Sequence, residues 1–237
     1  MIEATEVPYN EGDTQLRGLL AWDPNSPGPR PGILVVHGGA GLDDHAKGRA
    51  RRLAELGYVA FACDMYGEGV SGNRERVMQC ITKFQRDRAA LSARAKPGLE
   101  VLKSHPQVNG QLAAVGYCFG GMTVLQIARS GGDLAGVVSV HGSLETPVPA
   151  QPGTIRARVL VLHGALDPHV PMTHVSAFAQ EMIHAGADWQ LIMYGGAMHG
   201  FTHENATGQQ PGVAYHDPSD ARSSIAIKNF LAEIFAG

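Results

Sequence analysis

The sequence predicts an α/β fold, a mostly parallel central sheet with helices on both faces. Two observations predict it. From about Gly32 onward, short apolar runs alternate with stretches of helical spacing, the pattern of parallel strands joined by crossover helices. The runs are also continuously apolar rather than alternating, as strands buried on both faces are.

The elements follow in order. MIEATEVPYN and DTQLRGLLAW, joined by a tight polar turn, read as a leading antiparallel hairpin. DPNSPGPRPG (Asp23 to Gly32) reads as a surface turn rather than a linker, because too little chain precedes it to bury a core. GILVVHG is a buried strand ending in glycine. DDHAKGRARRLAELG has an acidic start, apolar spacing at Ala46, Ala50, Leu53 and Ala54, and a terminal Gly57, the marks of a capped helix. YVAFACD is the next strand. A helical stretch from Arg74 to His105 follows, with a break expected near Lys83 and a break or kink at Pro97. Then come strand QLAAVGY, helix FGGMTVLQIARSGG, and strands LAGVVSVHG and IRARVLVLHG. Helix MTHVSAFAQEMIHAGA, strand DWQLIMYGG and helix SDARSSIAIKNFLAEIFA complete a single domain expected over residues 1–237.

Composition narrows the class. The 237 residues are 44% hydrophobic and 17% charged, with a formal net charge of −3, values of a globular chain with a real core. The basic residues of RVMQCITKFQRDRAALSARAK alternate with apolar ones and read as a solvated helix face. Neither nucleic acid nor a membrane is therefore expected as a partner. No run approaches the ~18 consecutive apolar residues of a membrane span. MIEATEVPYN lacks the charged and apolar regions of a signal peptide. Cys63, Cys80 and Cys118 are too few for a disulfide framework, and a reducing cytoplasm fits them.

In such sheets ligands bind outside the carboxyl ends of the strands, so residues just past a strand are the candidates. Gly116-Tyr117-Cys118-Phe119-Gly120 follows a strand and opens a helix, the context of a nucleophile elbow. The helix N-terminus favours thiolate over thiol, and the amide of Phe119 is placed as an oxyanion donor. Taken alone, the pentapeptide fits a buried structural cysteine equally well. A nucleophile also needs a base and an orienting acid. Asp133 and Asp188 precede strands, Glu181 lies within a helix, and Glu145 sits in a loop of unassigned position. Asp167, in HGALDPHVP, lies past a strand on the correct edge. Among the histidines, His184 ends a helix on the wrong side, His169 shares the Asp167 loop, and His174 starts a helix. His199, in YGGAMHGF, follows the last strand. Cys118, Asp167 and His199 then stand in the nucleophile–acid–base order of α/β-hydrolases.

His37, His141, His163 and His199 each precede a glycine near a strand end, so a metal cluster is conceivable. No HExxH or paired-ligand spacing accompanies them, and neither metal nor cofactor is expected. His163 is expected to hydrogen-bond locally beside the Asp167 loop. Cys63 and Cys80 read as packing residues, and Met122, Leu125 and Ile127 as core helix.

VVHGGAGLDDHAKGRARRLAELGYVAFACDMYGEG, GYCFGG, HGALDPHVP and YGGAMHGFTHENA together resemble the dienelactone hydrolase family, from about Gly32 to the final helix. The resemblance implies a compact, cofactor-free, cytosolic α/β-hydrolase without a large cap, cleaving small lactones or esters. It implies Cys118 as nucleophile, Asp167 as orienting acid, His199 as base, and the amides of Gly39 and Phe119 as oxyanion hole. The sequence departs from the pattern twice. Gly38 stands where enzymes like the founding member carry a glutamate that takes part in activating the thiol. FTHENA offers only His203 where those enzymes place an arginine for a substrate carboxylate. Gly38 and His203 are accordingly the positions that bear on substrate. Arg86 and Arg88 could supply another cation, although a helix-surface place suits them better.

The expected activity is cysteine-dependent hydrolysis of a small ester or lactone, by a monomer or homodimer. The rivals are a non-catalytic binding or sensor protein on the same fold, and a papain-like peptidase. The strand–helix alternation, and an acid lying between Cys and His in the chain, disfavour the second rival.

Overall fold

A computed structural model describes residues 1–236. The sheet has eight strands in the order β1-β2-β4-β3-β5-β6-β7-β8, numbered along the chain as given below. The chain divides into two compact units, the second beginning at Gly116.

In the first unit, β1 (Glu3–Glu11) and β2 (Thr14–Trp22) form the antiparallel hairpin. β3 (Arg30–Val36) runs parallel to β4 (Val59–Cys63), and β2 joins β4 antiparallel. Residues 33–36 and 59–62 are wholly buried, which explains their unbroken apolar reading. Helix α1 (Asp44–Glu55) starts at the Asp43 side chain, which accepts the amide of Ala46.

The helical stretch expected from Arg74 breaks later than Lys83. Helix α2 (Arg74–Arg86) runs to Arg86, and Asp87 is extended, with φ −119° and ψ 92°. Asp87 closes one helix through its N–H to the Lys83 carbonyl. It also opens the next, α3 (Arg88–Ser104), by accepting the Ala90 amide at 2.9 Å. An aspartate three residues before an amide that needs an acceptor was the local signal. Pro97 lies inside α3 without ending it. Ala93, whose carbonyl loses its intrahelical donor, is exposed to water. Meanwhile the buried residues Leu91, Ala95, Gly98 and Leu102 anchor the helix on both sides of the proline. The close approach occurs at Gly98, where a Cβ would come within 3.0 Å of Leu34 and 3.1 Å of Cys63. Strand β5 (Val108–Tyr117) leads out of this unit.

In the second unit, helix α4 (Phe119–Arg129) follows at once. β6 (Gly136–Val140), β7 (Arg158–Gly164) and β8 (Trp189–Tyr194) pair in parallel. Met122, Leu125 and Ile127 are core, as expected. Helix α5 (Met172–Ala185) ends on Gly186 at φ 65°, the left-handed C-cap glycine readily adopts. Helix α6 (Asp217–Phe235) closes the chain. Its Phe230 and Ile234 lie so near Gly136 that a Cβ there would stand 2.7 Å from Ile234. Glu181, which the sequence places in a helix, is on α5 and forms a buried two-pronged pair with Arg129 of α4, at 2.9 and 2.7 Å. The same two side chains reach the Leu144 carbonyl and the Ala150 amide, so α4, α5 and the connection after β6 share one polar knot. Glu145 lies in that connection and pairs with His174 of α5 at 3.0 Å.

Candidate active site

Cys118 sits between β5 and α4 with φ 53° and ψ −111°, a region sparsely populated by residues with a Cβ. Such strain needs close backbone approach on either side. A Cβ on Gly116 would run into the Gly120 carbonyl, and one on Gly121 would stand 2.6 Å from Ser139 Oγ and 2.7 Å from Gly142 Cα. The turn is therefore tight because glycine alone fits there. Phe119 is the first residue of α4, so its amide is among those a helix leaves without an intrahelical acceptor.

Asp167 lies three residues past β7, and its carboxylate is nearly buried. Oδ1 accepts the amides of His169 at 2.8 Å and Val170 at 3.2 Å, a turn that Asp followed by Pro favours. That leaves Oδ2 for His199, whose Nδ1 donates to it at 2.8 Å. The opposite nitrogen, Nε2, is 3.1 Å from Cys118 Sγ. The three residues read from the sequence thus meet in one relay. The backbone of His199 is held on both sides by the loop that follows, with its N–H on the Gly212 carbonyl and its carbonyl on the Ala214 amide.

Electrostatics agree with this geometry. Burial acts to lower the pKa of His199, but the bonds and charges of Asp167 and Cys118 outweigh it and raise the value to about 10. For Asp167, burial acts to raise the pKa, and the His199 bond and charge with the His169 amide bring it below the usual carboxylate value. Burial pushes the thiol of Cys63 up, aided by Asp64, and burial likewise raises that of Cys80. Both are poor nucleophiles at neutral pH.

The remaining sequence candidates fall as follows. Gly38 and Gly39 lie past β3; the Gly38 carbonyl accepts from His37 Nδ1 at 2.7 Å, and the Gly39 carbonyl from the Tyr66 hydroxyl at 3.3 Å. His203 lies four residues beyond His199, with its ring 6.0 Å from that of His141. Arg86 is exposed at the end of α2 and Arg88 starts α3, the helix positions expected of them. His163 departs from expectation. It is buried, yet its Nδ1 has no hydrogen-bond partner among the described residues, and burial holds its pKa down. At the end of β7 it lies near enough to Asp167 and His199 to feel their charges, without the hydrogen bond expected of it. Two residues escaped the sequence reading as parts of the site. The His169 ring lies edge-on to His199 at 5.4 Å, and His141 bonds the Cys118 amide. The only signal for His141 was its place just past β6.

No group of three or more His, Cys, Asp or Glu able to hold a metal occurs among the described residues. No helix there is long and apolar enough to cross a membrane.

This sheet, with an elbow after its fifth strand, defines a protein of the α/β-hydrolase class. More narrowly, the chain belongs to the dienelactone hydrolase family, whose pattern it matches over residues 16–235. It is 40% identical to a solved dienelactone hydrolase-like promiscuous phosphotriesterase from metagenomic libraries, with 98% of each chain covered and a TM-score of 0.94. A protein of Saccharolobus solfataricus provisionally named a carboxymethylenebutenolidase is 27% identical over 158 residues, 52% of this chain and 60% of its own length. An uncharacterized protein of Caenorhabditis elegans is 39% identical over 150 residues, 62% of this chain and 95% of its own. The family and these likenesses make the chain a hydrolase acting on a small molecule.

Proposed function

We propose that this hydrolase cleaves small carboxylic esters or lactones through a Cys118–His199–Asp167 triad. The observation that carries the reading is the relay itself, with Sγ 3.1 Å from one imidazole nitrogen and a buried carboxylate 2.8 Å from the other. The contacts of Asp167 and Cys118 that raise the His199 pKa to about 10 favour a resting pair of thiolate and imidazolium. The thiolate adds to the substrate carbonyl, and the carbonyl π electrons move onto oxygen. The amide of Phe119 holds that oxyanion, with the amide of Gly39 as the second donor that the family resemblance assigns; each is typically worth roughly 3 kcal/mol of barrier. Collapse breaks the ester C–O bond, and His199 gives its proton to the departing alkoxide. With Cys118 now a neutral thioester, its share of what raised the His199 pKa is gone while that of Asp167 stays, and the imidazole that has given up its proton serves as base. It takes a proton from water, hydroxide adds to the thioester, and collapse expels the thiolate and releases the acid.

Gly38 leaves the loop after β3 without the family glutamate, and FTHENA leaves His203 without a neighbouring arginine. The second departure fits a substrate that lacks the carboxylate of a dienelactone, and the first leaves His199 and the helix N-terminus to activate the thiol. The name of the metagenomic relative supports including a phosphotriester in the substrate panel, since the same thiolate can attack phosphorus. The cysteine usage supports a cytoplasmic setting, and nothing in the proposed chemistry requires more than one copy of the chain.

Turnover of p-nitrophenyl acetate by the wild-type protein and by Cys118→Ala, Cys63→Ala and Cys80→Ala tests the reading. Loss in the first variant alone is expected, with iodoacetamide labelling a single site in the wild type. Full activity in Cys118→Ala, or no turnover of any ester, lactone or phosphotriester by the wild type, would favour a binding protein instead.

A further inference from the structure

His141 has no part in the relay, yet its placement is unusual. It follows β6 with φ 39°, a left-handed backbone rare for a residue with a side chain, and it is fully buried. Both ring nitrogens are engaged. The amide N–H of Cys118 points at Nδ1, 3.2 Å away, and Nε2 lies 2.9 Å from Thr202 Oγ1. An amide can only donate, so Nδ1 carries a lone pair and the proton resides on Nε2, from which Thr202 accepts. Thr202 is itself fully buried and lies three residues beyond His199. One neutral tautomer therefore connects the backbone of the elbow cysteine to the loop that carries the base.

The Cys118 amide is shared between His141 Nδ1 and the Val140 carbonyl, the latter at 3.0 Å. Any residue after β6 would leave the Val140 carbonyl in place, whereas the second acceptor depends on a side chain. A strained backbone such as that of Cys118 persists only where its surroundings over-determine it. We infer that His141 is a positioning residue for Cys118, accepting its amide at Nδ1 as the tautomer whose Nε2–H Thr202 accepts, and so fixing the elbow with Sγ against His199. The inference rests on the reading of Cys118 as the nucleophile. A role in packing alone is the rival, since the ring also lies against Tyr117 at 6.1 Å and edge-on to Phe201 at 5.1 Å. Phenylalanine at 141 would keep those contacts and lose both hydrogen bonds. The titratable groups around the ring are Tyr117, Cys118, His203 and His199, the last at 5.4 Å. Protonating His141 would set an Nδ1–H against the Cys118 N–H.

The test compares the wild type with His141→Phe, His141→Asn and Thr202→Val. The readouts are kcat and KM for p-nitrophenyl acetate, and the rate of Cys118 alkylation by iodoacetamide against pH. His141→Phe and Thr202→Val are expected to lower kcat on the order of 10²-fold, with KM nearly unchanged and the alkylation midpoint moved upward. His141→Asn should recover most of kcat, because its Oδ1 can accept the amide and asparagine tolerates positive φ. Wild-type kcat and midpoint in His141→Phe, or a His141→Asn as impaired as the phenylalanine variant, would overturn the inference. Should His141→Phe fail to fold, Thr202→Val and His141→Asn decide it by the same two readouts. Cys118→Ala is assayed alongside. An inactive Cys118→Ala beside a fully active His141→Phe removes the inference alone, whereas an active Cys118→Ala removes the nucleophile itself.

Discussion

At the scale of single residues, the relay depends on which proton sits where. Asp167 bonds His199 Nδ1 at 2.8 Å and so keeps Nε2 facing the thiol. Asp167→Asn keeps the shape but can set the wrong tautomer. It is expected to lower kcat by about 10⁴-fold, the cost of the same change in a serine triad. Circular dichroism should be unaltered; a variant within tenfold of wild type would remove Asp167 from the mechanism. Gly116 makes a steric prediction. Its Cβ would meet the Gly120 carbonyl carbon and oxygen, so Gly116→Ala must push the elbow apart. It should destabilise by about 1–3 kcal/mol, the usual range for overpacking, and should remove most esterase activity. A fully active, equally stable Gly116→Ala would mean that the turn is looser than described.

Among the elements, the Arg129–Glu181 pair is the joint that holds α4 against α5. Both side chains are buried, at 3% and 7% exposure. Breaking one partner strands a charge, which typically costs about 3–5 kcal/mol. Glu181→Gln should therefore lower Tm by roughly 6–20 °C, at about 2–4 °C per kcal/mol for a chain of this size. A double change to Met at both positions should recover much of the loss, since a buried pair gains little over well-packed apolar residues. Differential scanning calorimetry of the three variants decides it. A double variant as poor as Glu181→Gln would show that the contacts to Leu144 and Ala150 matter more than the pair. The elements also show what sequence can carry. Strand cores such as residues 33–36 were legible because burial on both faces leaves an unbroken apolar run. The helix break was misplaced because residues on both sides of Asp87, from Arg74 to Lys96, are ordinary helix formers. Asp87 marks where it falls, its backbone N–H closing one helix while its side chain opens the next. Pro97 read as a breaker because local rules cannot see that buried neighbours hold the helix on both sides of it.

The molecule as a whole should be most stable over a bounded range of pH. His37 and His163 have pKa values depressed by burial. The unfolded chain takes up their protons first, so stability falls as pH drops through the ordinary histidine value of about 6.5. Asp167, with its pKa below 3.8 in the fold, adds a further loss at more acid pH. His199 acts in the opposite direction. Its contribution is complete below about 6.5 and disappears as pH rises through its folded value of about 10. Thermal melts against pH should therefore peak near the ordinary histidine value of about 6.5 and fall on both sides, with the alkaline fall softened in Cys118→Ala, where the Cys118 bond and charge that help raise the His199 pKa are gone. An alkaline limb unchanged in that variant would contradict the ion pair. At this scale, too, the site was only partly legible. Cys118, Asp167 and His199 could be found because each follows a strand on the same edge. His141 could not, since its bond to the Cys118 amide arises from how the end of β6 packs against α4, and no spacing in the chain encodes that.

The central claim is a covalent acyl-enzyme on Cys118. Acid quenching of the protein within milliseconds of mixing with excess p-nitrophenyl acetate, followed by peptide mass spectrometry, tests it most directly. The account predicts an acetyl group on the peptide containing Cys118, formed with a burst of p-nitrophenol and absent from Cys118→Ala. Steady turnover with no adduct on Cys118, or with the acetyl group on another residue, would contradict it.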